Sequence, residues 1–167
     1  MKKFLLILAV VFGLSTTAMA QQKGDAFIGG AIGFSAGTDQ SASFGLAVEG
    51  GGFVANRLAL SGSVAYNLIG GEIHAITFGP KLSYYARLAD KFYYTPGVSV
   101  VGAYVNVGGA DGGDVGIGLD LAAFEFRPTP HFGMNINLFS MSALFNNGFS
   151  FSADMMMNTS VSFRYYF

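Results

Sequence analysis

Three features of the sequence predict an all-β chain that folds as an eight-stranded, antiparallel, up-and-down transmembrane barrel. Apolar residues recur at every second position through most of the chain, which is the period of a β-strand. Only 11% of the residues are charged, compared with about a quarter in ordinary soluble domains, so a water-exposed surface is not expected. The 24 glycines and a mean hydropathy of +0.46 point the same way.

The N-terminus has the pattern of an export signal. Lys2 and Lys3 precede an apolar stretch over residues 4–14, and residues 18–20 form an Ala-Met-Ala cleavage site. This stretch is too short to cross about 30 Å of hydrocarbon as a helix. We therefore expect a signal peptide at residues 1–20 and a single barrel domain at residues 21–167.

Eight segments alternate between large apolar residues on one face and small or polar residues on the other, which predicts one strand per segment. Dividing the expected mature chain by eight leaves room for the 9 to 11 residues of a tilted membrane strand and its connection. In chain order the large residues are Ile28, Ile32 and Phe34; Phe44, Leu46 and Val48; Leu58, Leu60, Val64 and Tyr66; Ile76, Phe78, Leu82 and Tyr84; Phe92, Tyr94, Val98, Val100 and Tyr104; Val115, Ile117, Leu119 and Leu121; Phe132, Met134, Ile136 and Leu138; and Val161, Phe163, Tyr165 and Phe167.

Turn residues separate the eight segments. Short connections are expected at residues 56–57, 90–91 and 127–130, and they alternate with more glycine-rich or polar ones at residues 38–41, 70–74, 106–114 and 146–148. Pro80 and Pro96 fall inside segments, so we expect distorted strands there.

The small, uncharged face fits the narrow interior of an eight-stranded barrel, so the large aliphatic face is expected to contact lipid. Such a sheet must close, because an open edge would leave unpaired amides in hydrocarbon. Aromatic residues near the turns predict an interfacial girdle. They are Tyr84, Tyr85, Phe92, Tyr93, Tyr94, Phe132, Tyr165, Tyr166 and Phe167.

Over residues 21–167, this pattern and the terminal sequence Ser-Phe-Arg-Tyr-Tyr-Phe resemble the small bacterial outer-membrane β-barrel family that includes the outer-membrane protein A, X and W types. The resemblance implies an outer-membrane location and contact with outer-membrane lipid. It also implies delivery by periplasmic chaperones and a C-terminal signal, Phe163, Tyr165 and Phe167, that the barrel assembly machinery reads. We expect a monomer.

Four charged residues fall on the small, inward face: Glu49, Lys81, Asp120 and Arg164. Charges in a narrow interior need partners or water, so we predict a lumenal ion-pair network. It would hold the strands in register or, as the alternative, tune the selectivity of a pore. Glu125 and Arg127 are out of phase with Asp120, which indicates a bulge near residues 122–123 or a position at the interface.

Little in the sequence favours catalysis. His74 and His131 are expected at opposite ends of the barrel, and neither begins the His-x-Ser pair of small lipid-A deacylases. The chain has no cysteine, which excludes a thiolate metal site, and its net charge of −1 gives no electrostatic case for a nucleic acid partner. We expect no metal site and no cofactor. The sequence favours a non-enzymatic barrel with a structural or small-solute, porin-like role. The alternatives are lateral transport of small hydrophobic molecules and, third, a lipid-A-modifying enzyme.

Overall fold

The computed structural model describes residues 23–37, 40–145 and 149–167, and the expected signal peptide lies outside them. All regular elements in the described residues are β-strands. None of these residues forms a helix long and apolar enough to cross a membrane. In chain order the strands are β1 (Ala26–Gly37), β2 (Gln40–Ala55), β3 (Leu58–Ile69), β4 (Ile73–Tyr84), β5 (Ala86–Ala89), β6 (Phe92–Tyr94), β7 (Gly97–Val107), β8 (Ala110–Thr129), β9 (Phe132–Phe145) and β10 (Phe149–Tyr166).

The strands form a closed antiparallel ring of eight crossings. Only Tyr85 separates β4 from β5, and only Thr95 and Pro96 separate β6 from β7, so each of these pairs is one crossing. Each crossing pairs with the next along the chain, and β10 pairs with β1. This last pairing joins Phe27 to Tyr166, so the start of β1 and the end of β10 lie at the same end of the barrel.

The turns at that end are short. Arg57 and Lys91 take up the left-handed backbone conformation there, with φ angles of 67° and 61°. At the opposite end, the connection expected over residues 106–114 is wrong: Val107 already pairs with Ala110 across a two-residue turn. Gly108 and Gly109 form this turn with positive φ angles, the conformation that a tight hairpin needs.

Proline distorts the strands where the sequence predicts it. The pairing of β4 with β7 skips Gly79 and Pro80, and Pro96 lies in the gap between β6 and β7. Pro80 keeps its partner Gly62 on β3 but is missing from the ladder with β7, because proline has no amide hydrogen to donate there.

The outer wall of the barrel is apolar. Ile32 is 73% exposed, Val115 is 59% exposed and Val48 is 56% exposed, and similar side chains cover every crossing. A soluble protein would bury this surface, since contiguous apolar patches of more than a few hundred Å² mark contact with another apolar phase. The inner wall carries the small residues instead, among them the buried Ser61 and Ser83.

Candidate functional site

The lumen is filled at the end where the short turns lie. Five aromatic rings pack there in one cluster: Phe27, Phe53, Tyr85, Tyr93 and Tyr166. The ring of Phe53 meets that of Tyr85 edge-on with centroids 5.0 Å apart, and the rings of Phe27 and Tyr166 are 5.5 Å apart. We call this cluster, together with Glu49, Glu125, Arg127 and Arg164, the plug.

Arg164 lies at the centre of the plug, where its side chain is only 4% exposed. Its guanidinium holds Glu49 in a two-pronged contact, through Nε to Oε1 and through Nη2 to Oε2 at 3.1 Å. Nη1 donates to the Tyr85 hydroxyl at 2.8 Å and to Oε2 of Glu125 at 3.0 Å. One arginine therefore joins two carboxylates and one phenol.

Glu125 is the most buried charged group of the plug, with 0% exposure. Besides Arg164, its carboxylate accepts hydrogen bonds from Arg127 Nη2 at 2.9 Å and from the Tyr166 hydroxyl at 2.8 Å. The guanidinium of Arg127 also lies 3.5 Å from the centre of the Tyr166 ring, a cation–π contact. Two arginines thus balance two glutamates, which is the condition for keeping such charges out of water.

Glycines make room for this arrangement. In the cross-strand row, Gly29 lies between Glu49 and Arg164, which are on strands two apart. A Cβ at Gly29 would stand 2.9 Å from Oε1 of Glu49 and 3.0 Å from Cγ of Arg164. The absent side chain lets Arg164 reach across β1.

A bulge brings Glu125 into the lumen. Between Asp120 and Phe124, β8 has one residue more than the neighbouring crossing formed by β6 and β7: Asp120 faces Gly97 and Phe124 faces Tyr94, which is four steps along β8 but three along its neighbour. This extra residue reverses the alternation. Asp120 and Glu125 therefore both point inward, although they are an odd number of residues apart.

A second ion pair lies beyond the plug, between Lys81 and Asp120. Its side chains are 22% and 18% exposed, respectively, so this pair is more accessible to water than the pair of Arg164 and Glu49. Asn137 Nδ2 donates to Asp120 at 2.8 Å. Gly97 lies opposite Asp120 on the intervening strand, and a Cβ there would stand 2.8 Å from Cε of Lys81.

Comparison with known proteins rests on structure alone. No protein-family model matches the chain, and no curated protein matches it significantly. The crystal structure of Neisserial surface protein A aligns with 84% of this chain and 94% of its own, at 15% identity and a TM-score of 0.56. Ail, a Yersinia pestis outer-membrane protein solved in a phospholipid nanodisc, aligns with 89% of this chain and 100% of its own, at 12% identity and a TM-score of 0.50.

The chain has the fold of the small outer-membrane β-barrel proteins. This confirms the fold class expected from the sequence, including the closed ring of eight antiparallel crossings. The apolar outer wall agrees with it, because such a barrel presents its large side chains to lipid.

The structure separates the four charges predicted for the lumen into two pairs. Glu49 contacts Arg164, and Lys81 contacts Asp120. Alternation in the sequence does not assign the other members of the plug to the lumen, Glu125 and Arg127 among them. Their break in alternation was the available signal, and of its two interpretations the bulge is the one found.

Part of the aromatic girdle expected from the sequence is wrong. Tyr85, Tyr93 and Tyr166 are 1%, 6% and 3% exposed and belong to the plug. They alternate with the outward aromatic residues, so they share the inward face. Phe92 and Phe132 do face outward, at 37% and 38% exposure.

The three residues of the expected assembly signal line the outer face of β10 and the residue after it. Phe163, Tyr165 and Phe167 are 48%, 50% and 71% exposed. Phe163 stacks on Phe132 with ring centroids 5.9 Å apart, which joins the signal to the remaining outward aromatic residues.

The two histidines lie at opposite ends of the barrel. His74 Nδ1 is 2.7 Å from the Tyr66 hydroxyl, whereas His131 Nδ1 is 2.9 Å from the carbonyl oxygen of Tyr166. Neither contact is to a serine. Within the described residues, no three His, Asp or Glu side chains are grouped to hold a metal ion.

Proposed function

We propose that this protein is a non-enzymatic, monomeric outer-membrane barrel with a structural role, and that its plug prevents solute flow. The observation that carries the proposal is the packing of the lumen at the short-turn end. Arg164 and Glu125 are almost fully buried there, among rings in contact with one another. A water-filled channel would instead leave these charges hydrated, so the structural role is favoured over the porin-like one.

Conductance across a planar bilayer tests the proposal. Folded wild-type protein should add no stepwise current, because no ion can pass between packed rings without displacing them. Tyr85→Ala removes the largest fully buried side chain among the described residues and should admit a measurable leak, which makes it a matched control from the same chain. Stable channel steps from the wild-type protein would contradict the proposal.

Lateral transport of small hydrophobic molecules is a second candidate, and the seam between β1 and β10 favours it. Only five residues of β1, Phe27 to Ala31, pair with β10, whereas the pairing of β1 with β2 extends to Gly37. Beyond Ala31, the described part of β1 has no ladder partner in β10. Such a gap would connect the part of the lumen beyond the plug with the surrounding lipid.

A disulfide staple tests the lateral route in a chain that has no native cysteine. Continuing the observed register would bring Gly33 opposite Ser160, so a cysteine pair at these positions would close the gap. Cysteines at Ala31 and Ser162, which already pair, provide the matched control. Only the first staple should slow entry of an uncharged hydrophobic dye into proteoliposomes; equal entry with both staples would refute the lateral route.

A further inference from the structure

At the end of the barrel opposite the plug, polar side chains interrupt the apolar outer wall. We call them the outer polar patch: Tyr66, His74, Tyr104, Asn106 and Asp111. They lie on four adjacent crossings, β3, β4, β7 and β8. His74 pairs across strands with Asn106, and Asn106 pairs with Asp111, so three of the five form one continuous row.

The members of the outer polar patch contact one another. The Tyr66 hydroxyl lies 2.7 Å from His74 Nδ1. Asn106 Nδ2 donates to the carboxylate of Asp111, which also interacts with the side chain of Tyr104. Tyr104 nevertheless stays 43% exposed. The patch is therefore ordered but presents an aromatic ring, a carboxylate and an imidazole outward.

The position of the patch matches a membrane interface. Tyr104 shares the outward face with Ile76 and Phe78, which are 39% and 52% exposed. Phe92 is one of the outward aromatic residues at the plug end of the barrel. It lies roughly twelve residues from Tyr104 on the crossing formed by β6 and β7. At about 3.3 Å per residue and a tilt of about 40°, the two levels are about 30 Å apart, the thickness of the hydrocarbon core.

The charges around the patch limit what it can bind. The formally charged side chains described at this end, Glu72, Asp111 and Asp114, are all acidic. The lysines and arginines beyond the expected signal peptide lie in the lumen or towards the short turns, at Lys23, Arg57, Lys81, Arg87, Lys91, Arg127 and Arg164. A phosphate would find no lysine or arginine here and would face carboxylates instead. Hydroxyl groups, in contrast, suit a surface of mixed donors and acceptors.

We propose that the outer polar patch binds the uncharged sugar headgroup of a glycolipid. Sugar hydroxyls can donate to Asp111 and to the side-chain oxygen of Asn106, and they can accept from the imidazole or phenol groups. The exposed ring of Tyr104 offers an apolar face beside these groups. The acyl chains of the same lipid would lie on Ile76 and Phe78, directly below the patch.

Native mass spectrometry of the folded barrel in detergent tests this proposal. The probes are a diacylglycerol with a neutral disaccharide headgroup and a phosphatidylglycerol with identical acyl chains. Wild-type protein should retain the glycolipid in preference to the phosphatidylglycerol. Tyr104→Phe should lower this retention about fivefold, the effect of one neutral hydrogen bond. Tyr165→Phe makes the same change in a 50% exposed tyrosine at the other end and should have no effect.

Three results would overturn the proposal. The first is equal retention of the two lipids, and the second is an equal loss of glycolipid in both tyrosine variants. The third is phosphatidylglycerol retention that needs Ca²⁺ and is lost in Asp111→Asn, because it would indicate cation bridging to a phosphate. Glycolipid retention that survives in Asp111→Asn supports sugar binding, since the amide can still form hydrogen bonds.

Discussion

Replacing Arg164 with methionine should destabilise the folded barrel by about 4 kcal/mol. The change leaves the Glu49 carboxylate without its cation, whereas Glu125 keeps Arg127. Removing one partner of a buried ion pair costs about 3 to 5 kcal/mol, and we take the lower end because the Glu49 side chain is 14% exposed. The lost hydrogen bond to Tyr85 adds about 1 kcal/mol.

The free energy of unfolding can be measured by denaturant titration in detergent micelles, following the fast-migrating folded band on an unboiled gel. Adding Glu49→Gln to Arg164→Met removes the orphaned charge and should recover part of the loss. Lys81→Met is the matched control. It breaks the pair with Asp120, whose side chains are 22% and 18% exposed, and should cost about 1 kcal/mol because water compensates the remaining charge.

Two outcomes would refute this reasoning. If the losses in the free energy of unfolding from Glu49→Gln and Arg164→Met are strictly additive in the double variant, the two side chains are not coupled. A loss in Lys81→Met as large as that in Arg164→Met would show that burial within the plug does not govern the energetics.

Three further predictions follow from the same geometry. Gly29→Ala should lower the free energy of unfolding, because its Cβ would stand 2.9 Å from Oε1 of Glu49; an unchanged denaturation midpoint would contradict this. Phe167→Ala should reduce the amount of protein in the outer membrane and leave protein in the periplasm, as cell fractionation would show. An epitope inserted between Gly108 and Gly109 should bind antibody on intact cells, and one in the turn at residues 90–91 should not; the reverse result would invert the barrel.

The sequence predicts a lumenal position for some of these residues, but it does not predict which of them meet. Alternation assigns Glu49 and Arg164 to the inward face from local information alone. Their contact depends on the stagger with which β10 closes against β1, and no turn connects these two strands. Glu125 was harder still, because one inserted residue between Asp120 and Phe124 reverses the alternation and leaves only an ambiguous break in the pattern.

The row from Glu49 through Gly29 to Arg164 has a consequence for the order of assembly. It joins the second strand of the chain to the last one, so the contact can exist only after β10 has arrived beside β1. Before that meeting Glu49 lacks Arg164, and Glu125 lacks one of its two arginine partners. Both carboxylates then need water as their partner. Neutralisation of Glu49 and closure of the ring thus depend on the same meeting of β1 with β10, so a sheet that is still open at this seam carries an unpaired carboxylate.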